Sequence, residues 1–563
     1  KLGLIDDIAP REYVVRVAGE MLAKGKHPHS LAHSGPVNAV VDVVIAKKVR
    51  ADVEKRTRGN YPAVEKALEV ILHGSAAWNE EASLKREREA VAELVQLDST
   101  RNLIRLFFLQ ERAKKRSAKP GPPERSAAAG EGGERRAVEG SGSIPNDLVK
   151  PEGAVSVLTP GPSTPALRAS AQDDIAVIGA GVMGAGIAQW LSTRGQRVIL
   201  RDLDTARVAA GMATISRLYD AGVKRHVFTE TEARAGLDRI FPAPTEVPLD
   251  RVSWVIEAAV EKMAVKKAIF QNLDDLVPAD AILATNTSAL SITELAAATR
   301  HPGRVIGIHF FNPVHTMQLV EVVTGEATSP EVTQRVLRFV QSIGKLPVLV
   351  RDSPGFLVNR ILLPYLIEAG ELFAAGADPA ALDESMLDFG MPMGPLRLID
   401  EVGVDVAADV AATLAAAFPD RIRVPNILGR MESAGLLGKK SAAGFFRHES
   451  HDDPKPNPDA LALRASGSTP ADAVTRLTFL MINEAARCLE ERVVENPADV
   501  DFGMVMGTGW APFRGGPLRY ADSLGARAIV EKLNQLADTA GPHFAPCARL
   551  VELAKTEGKF YED

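Results

Sequence analysis

Between Asp174 and Asp202 the chain carries a pattern that few folds can accommodate. An apolar run, Ile175-Ala-Val-Ile178, passes directly into Gly179-Ala-Gly181-Val-Met-Gly184. A helix-like segment through Trp190 and Leu191, a turn at Gly195 and a second apolar run, Val198-Ile-Leu200, follow. Asp202 closes the stretch, eighteen residues after Gly184. The order is strand, tight turn, helix, strand, acid. Gly179 permits the turn off the strand, Gly181 lets the backbone approach a ligand, and Gly184 lets the helix pack closely on the strand. The unpaired N–H groups and positive dipole end of that helix then face an anion. An acid at the tip of the second strand accepts hydrogen bonds from a ribose 2′-hydroxyl and repels a 2′-phosphate. The glycines, their strand–helix context and the spacing of the acid together predict a dinucleotide site that favours NAD over NADP. Arg201, next to the acid, is the residue a 2′-phosphate would use.

Length and composition set bounds on the rest. A chain of 563 residues is expected to hold several domains. With 46% hydrophobic and 25% charged residues it has an ordinary globular composition, and a net charge of −6 gives no reason to expect nucleic acid as a partner. No apolar run approaches the roughly 20 residues of a membrane span. The two cysteines, Cys488 and Cys547, are too few for a disulfide framework, so a reducing cytoplasmic location is expected. The chain opens at Lys1 in what reads as mid-domain, and an upstream portion is expected. No His, Cys or acidic cluster has metal-ligand spacing, so no metal is expected; His27, His29 and His33 read as a surface loop.

Residues 1–116 show apolar positions at helical spacing, as at Val64, Leu68, Ile71 and Leu72. The opening Leu2-Gly-Leu-Ile5 reads as a strand end. Residues 117–172, with Pro120-Gly-Pro-Pro and Thr159-Pro-Gly-Pro, carry little apolar material to bury and read as a flexible linker. From 173 to 351 apolar runs alternate with helical stretches, which predicts seven strands in a parallel sheet with helices on both faces. One long polar helix is expected from Ala206 to about Leu237. Beyond Asp352 the pattern turns helical, and Gly394-Pro-Leu-Arg-Leu-Ile-Asp400 recurs as Gly516-Pro-Leu-Arg-Tyr-Ala-Asp522. Glu368-Ala369 and Glu484-Ala485 lie upstream of each copy. Two related helical domains are expected, at 352–449 and 468–563.

Polar residues gather where the strands end, the edge at which such sheets bind ligands. His309 closes one apolar strand, and an imidazole is suited to accept a hydroxyl proton near neutral pH. Glu321, twelve residues on in a following strand, could fix its tautomer and stabilise its charged form. Ser288, at a neighbouring strand end, could hydrogen-bond a substrate oxygen. Asn312 could help hold either ligand, and Asn359 could complete the site from across a cleft.

Taken together, Gly179-Ala-Gly-Val-Met-Gly, Asn286-Thr-Ser, His309-Phe-Phe-Asn-Pro, Val320-Glu-Val and Asp352-Ser-Pro-Gly-Phe-Leu-Val-Asn-Arg360 resemble the L-3-hydroxyacyl-CoA dehydrogenase family from about Asp173 onward. The doubled helical region is similar to that of the multifunctional type, the α-subunits of the fatty-acid oxidation complex. Gly3-Leu-Ile-Asp-Asp-Ile-Ala-Pro10 and Gly59-Asn-Tyr-Pro-Ala63 resemble the end of an enoyl-CoA hydratase domain and the helices that follow. The hydratase oxyanion hole and glutamates are not present in the chain, so hydratase activity is not expected of it. The resemblance implies an α/β fold: a Rossmann-type dinucleotide-binding domain followed by two related all-α domains, preceded by a helical remnant of a crotonase-like domain. It implies His309 as catalytic base, Glu321 as its partner, and Ser288 and Asn359 as further catalytic groups. Gly179, Gly181, Gly184, Asp202, Glu261, Lys266, Asn286 and Asn312 are then the residues around NAD. An acyl-CoA thioester is the implied substrate, with a thiolase subunit as a possible partner in a homo- or hetero-oligomer. A dehydrogenase of another hydroxy acid and a non-catalytic NAD-binding scaffold are the alternative readings.

Overall fold

The computed structural model describes residues 36–75, 80–115, 174–448 and 455–562. The strand expected at Leu2–Ile5 and the linker expected at 117–172 lie outside the described residues. The chain divides into two units, residues 1–101 and 102–563. In the first, helices Pro36–Thr57, Pro62–Ser75 and Glu80–Leu94 follow one another. Lys66 pairs with Glu93 at 2.9 Å and joins the second helix to the third.

The second unit is built on an eight-stranded sheet. Its strands are β1 (Asp174–Ile178), β2 (Val198–Arg201), β3 (Ile240–Ala243), β4 (Val252–Glu257), β5 (Ile282–Thr285), β6 (Val305–Phe310), β7 (Leu319–Thr324) and β8 (Leu346–Arg351). They lie in the order β3-β2-β1-β4-β5-β6-β7-β8. The inner strands β5, β6 and β7 are almost wholly buried apolar runs, as expected when helices cover both faces. The sheet is nevertheless mixed: β7 runs antiparallel to β6, and β8 runs parallel to β7. A short connection, residues 311–318, leaves no room for the crossover that a parallel pairing needs. The expected helix at 206–237 is two, Thr205–Lys224 and Glu230–Leu237. A capping box between Thr229 and Glu232 starts the second. β3 was not foreseen, because Ile-Phe-Pro-Ala offers two buried positions and a proline, a weak strand signal suited to a sheet edge.

The helical region repeats itself in detail. Asp383 accepts hydrogen bonds from Leu396 and Arg397 N–H (both 2.9 Å) and starts helix Pro395–Val402. Asp501 does the same for Leu518 and Arg519 (2.8 and 3.1 Å) at helix Pro517–Leu524. At the other ends, Asp400 holds Phe445 and Phe446 N–H, and Asp522 holds Phe560 and Tyr561 N–H. The long helices Val358–Ala374 and Ala473–Glu490 pack on one another and exchange ion pairs reciprocally. Arg360 Nε donates to Glu484 Oε1, and Arg476 Nε donates to Glu368 Oε1, both at 2.7 Å. The end of helix Asp98–Lys114 also belongs to this unit: Arg112 pairs with Asp499 at 2.7 Å, and Asn102 Nδ2 donates to Phe513 O.

Candidate active site

The turn after β1 has the geometry its glycines imply. Gly179 has φ +109°, and a Cβ there would sit 2.4 Å from Ala258 O. A Cβ on Gly184 would sit 1.8 Å from Gly179 O, so neither position admits a side chain. A Cβ on Gly181 would meet nothing within 4 Å, which leaves that face of the loop open to an approaching ligand. Helix Val182–Thr193 starts here with no side-chain cap, so its first N–H groups are free for an anion. Asp202 Oδ2 accepts from Ala180 N–H and Oδ1 from Leu203 N–H, both at 2.7 Å. These bonds tie β2 to the loop and leave acceptor capacity on both oxygens. Asp202, Gly179 and Arg201 line a crevice of about 530 Å³ with Val265, Ile269 and Leu203. Arg201 is held by Glu246 at 3.0 Å. The free helix start, the open glycine face and the acid fit a pyrophosphate and a ribose, as NAD requires.

One layer deeper lies a polar network on β4 and β5. Glu257, fully buried at the end of β4, receives Lys266 Nζ on both oxygens at 2.8 Å. It also accepts from Thr285 Oγ1 (2.6 Å) and Ala259 N–H (2.7 Å). Lys266 is wholly buried, and its Nζ also lies 3.5 Å from Glu261 and 3.4 Å from the Asn286 carbonyl. Glu261 in turn accepts from Thr287 Oγ1 and from Ser288 N–H, both at 2.6 Å. Sequence reasoning missed Glu257. Its signal was available, an acid closing an otherwise apolar strand nine residues before a lysine. Asn286 Oδ1 accepts from Phe310 N–H at 2.9 Å, which fixes the end of β5 against β6.

His309 is brought directly opposite Glu321 by the antiparallel register of β6 and β7. Its Nδ1 lies 2.7 Å from Glu321 Oε2, and Glu321 is fully buried. Glu321 Oε1 is held by Leu357 and Val358 N–H (3.1 and 2.9 Å), at the start of helix Val358–Ala374. An ionised carboxylate accepts only, so Nδ1 carries the proton and the lone pair of the neutral ring is on Nε2. Nε2 has no hydrogen-bond partner among the described residues. Phe311 and Phe356 flank the imidazole, with ring centroids 4.5 and 5.9 Å away. Asn359 Nδ2 donates to Ser288 O at 3.0 Å and so joins the helical region to the end of β5. Asn312 is exposed just beyond β6. The strand register thus pairs His309 with Glu321, and the helical region adds Asn359 on the Ser288 carbonyl, while Gly179 and Asp202 line the crevice beside the turn that carries Gly181 and Gly184.

A doubly wound sheet with a glycine-rich first turn, an acid after β2 and a carboxylate-oriented imidazole at a strand end defines a nicotinamide-dependent dehydrogenase. Residues 174–353 match the family described as 3-hydroxyacyl-CoA dehydrogenase, NAD binding domain, and residues 355–448 match its C-terminal domain. The fatty acid oxidation complex subunit alpha of Shewanella loihica is 32% identical over the whole chain, which spans 75% of that relative. The corresponding subunit of Vibrio vulnificus is 30% identical, with 74% of it covered. The crystal structure of 3-hydroxybutyryl-CoA dehydrogenase from Escherichia coli K12 superposes with a TM-score of 0.62 at 29% identity. It covers 69% of this chain and 99% of its own. The chain belongs to the 3-hydroxyacyl-CoA dehydrogenase family, in the branch of the fatty-acid oxidation complex α-subunits. Its activity is NAD-dependent oxidation of 3-hydroxyacyl-CoA. The mixed sheet followed by helical domains is the fold that this family resemblance implied.

Proposed function

We propose that the L-3-hydroxy group of an acyl-CoA thioester is oxidised to the ketone in the cleft beside His309, and that His309 Nε2 takes the hydroxyl proton. The observation that carries this reading is the 2.7 Å contact of His309 Nδ1 with buried Glu321, which leaves Nε2 as the basic, unpartnered nitrogen. Glu321 holds the ring tautomer and stabilises the imidazolium that forms, and the N–H groups of Leu357 and Val358 keep that carboxylate aimed. Ser288 hydrogen-bonds the reacting oxygen, and Asn359 holds the segment that carries Ser288. Bound NAD supplies the hydride acceptor. Gly179, Gly181, Gly184 and Asp202 hold its adenosine and pyrophosphate. Glu261, Lys266, Asn286 and Asn312 shape the nicotinamide end, with Lys266 acting through Glu257 and Glu261. Phe311 and Phe356 exclude water from the ring.

We further assign residues 1–116 to the end of a hydratase-like domain with its linking helices, 173–351 to the NAD domain, and 352–449 and 468–563 to the two helical copies. A thiolase subunit in a homo- or hetero-oligomer and a cytoplasmic location complete the proposal. Among the described residues no helix is long and apolar enough to cross a membrane. The test is NADH absorbance with acetoacetyl-CoA. Consumption of NADH that disappears in His309→Gln is expected, and consumption that survives the substitution removes His309 from the chemistry.

A further inference from the structure

The two helical copies pack about a local twofold relation, and one half of that relation is incomplete. Helix Val358–Ala374 and helix Ala473–Glu490 align with Arg360 on Arg476, Glu368 on Glu484, and Ala375 on Glu491, each pair 116 residues apart. Arg360 and Arg476 each reach across to the other copy's glutamate. Each also lies over a phenylalanine, Arg360 over Phe418 at 4.6 Å and Arg476 over Phe544 at 5.8 Å. Beyond that the halves differ. Arg360 has a second carboxylate: its Nη2 donates to Glu491 Oε2 at 2.6 Å, and Arg421 shares Glu491 at 2.9 Å. Arg360 is fully buried by this enclosure. On the other side the residue at the same helix C-cap is Ala375, which brings no carboxylate.

A cavity of about 310 Å³ lies where that carboxylate would be, lined by Ala375, Arg476, Arg423 and Glu371 among others. Arg476 spends Nε and Nη2 on Glu368, and its Nη1 has no partner among the described residues. Arg423 forms neither a hydrogen bond nor an ion pair among the described residues, although its charge lies close enough to Glu371 to oppose the rise in that carboxyl's pKa that burial causes. Ile367, Ile422 and Leu480 supply an apolar wall. The volume is at the low end for small-molecule pockets, and a guanidinium fork is matched to a carboxylate.

We infer that this cavity between the helical copies is a binding site for a small aliphatic carboxylate, whose anionic head takes the place that Glu491 fills in the other half. The head pairs with Arg476 and Arg423, and the chain lies on the isoleucine and leucine wall. Glu371 at the rim repels the head, so it weakens binding without preventing it. The site does not depend on the dehydrogenase reading, since none of its residues touches His309 or the glycine turn.

The test is calorimetric titration of the full chain with sodium hexanoate, with hexanol and hexylamine as controls. Hexanoate is expected to saturate one site per chain, with both controls weaker by about tenfold or more. Ala375→Glu supplies the missing carboxylate internally and is expected to abolish hexanoate binding while raising the melting temperature. Arg423→Gln, at an exposed position that holds nothing else in place, is expected to weaken binding about tenfold, and Glu371→Gln to tighten it. NAD titration should be unchanged in all three variants. Absence of saturable binding, equal binding of hexylamine, or hexanoate binding undiminished by either Ala375→Glu or Arg423→Gln overturns the inference.

Discussion

Val358 N–H donates to Glu321 Oε1 at 2.9 Å, so the start of a helix in the first helical copy grips the carboxylate that faces His309 in the sheet. Leu357 N–H donates to the same oxygen at 3.1 Å, so two oriented N–H groups fix the side chain. Two residues along the same helix, Arg360 is locked to Glu484 and Glu491 of the second copy. The second copy therefore braces the element that aims Glu321 at His309.

Arg360→Met should expose the worth of that brace. Removing one partner leaves buried Glu484 (2% exposed) without its closest cation, which costs about 3–5 kcal/mol where a buried pair is broken. Turnover should fall with NAD affinity retained, because the crevice at β1 and β2 makes no use of Arg360. Urea denaturation and steady-state kinetics on the same preparation check both parts. A stability loss with full turnover would confine Arg360 to a structural role.

His309→Gln removes the proposed proton acceptor but keeps a side chain of similar reach. The rate should drop by about a hundred- to ten-thousandfold, the range for loss of a general base, while NADH fluorescence titration stays close to wild type. Glu321→Gln should fall less far, since the imidazole remains and loses only its charged partner. A larger effect at Glu321 than at His309 would mean that the fold of β7 and its helix, and not proton transfer, had been disturbed.

Much of this is legible in the sequence, and the reasons lie in particular residues. The turn at Gly179 to Gly184 is local, so its spacing alone fixes its geometry. His309 and Glu321 were both identified, but their contact depends on β7 reversing direction, and periodicity does not distinguish parallel from antiparallel apolar strands. Glu257 was missed because its meaning depends on Lys266 and Thr285, brought to it from a helix and a neighbouring strand. The repeat was visible at Asp400 and Asp522, where turn chemistry preserves a local string. The reciprocal pairs of Arg360 and Arg476 were not, because each partner lies more than a hundred residues away.

Asp202→Ala should weaken NAD binding by about tenfold, the effect of losing one to two hydrogen bonds to a ribose together with the Ala180 N–H that the acid now holds. The preference over NADP should narrow, because the charge that repels a 2′-phosphate is gone. The narrowing is limited by Glu246, which keeps Arg201 engaged at 3.0 Å. Parallel titrations with the two cofactors decide the matter, and an unaltered ratio would end the assignment of Asp202 to the ribose.

Asp501 links the structure to pH. It is fully buried, and burial pushes its carboxyl up to about 7 against the opposing donors Tyr561, Leu518 and Arg519 and the charge of Arg105. Tyr561 Oη donates to it at 2.6 Å, and the Arg105 guanidinium lies 3.7 Å away. Burial raises its counterpart Asp383 to about 7 as well. In the unfolded chain an aspartate titrates near 3.9, so between about pH 4 and 7 the folded protein holds protons that the unfolded chain has released. The stability from this source is complete below pH 4 and is lost as pH rises through 7. Asp501→Asn cannot titrate, so its stability deficit against the wild type should be greatest at the acid end and shrink by roughly 1–3 kcal/mol between pH 5 and pH 8. Asp383→Asn should behave alike at the matching helix start. Denaturant titrations of the three proteins across that range give the answer, and a deficit that stays constant or widens with pH would show that these carboxylates are already ionised in the folded state.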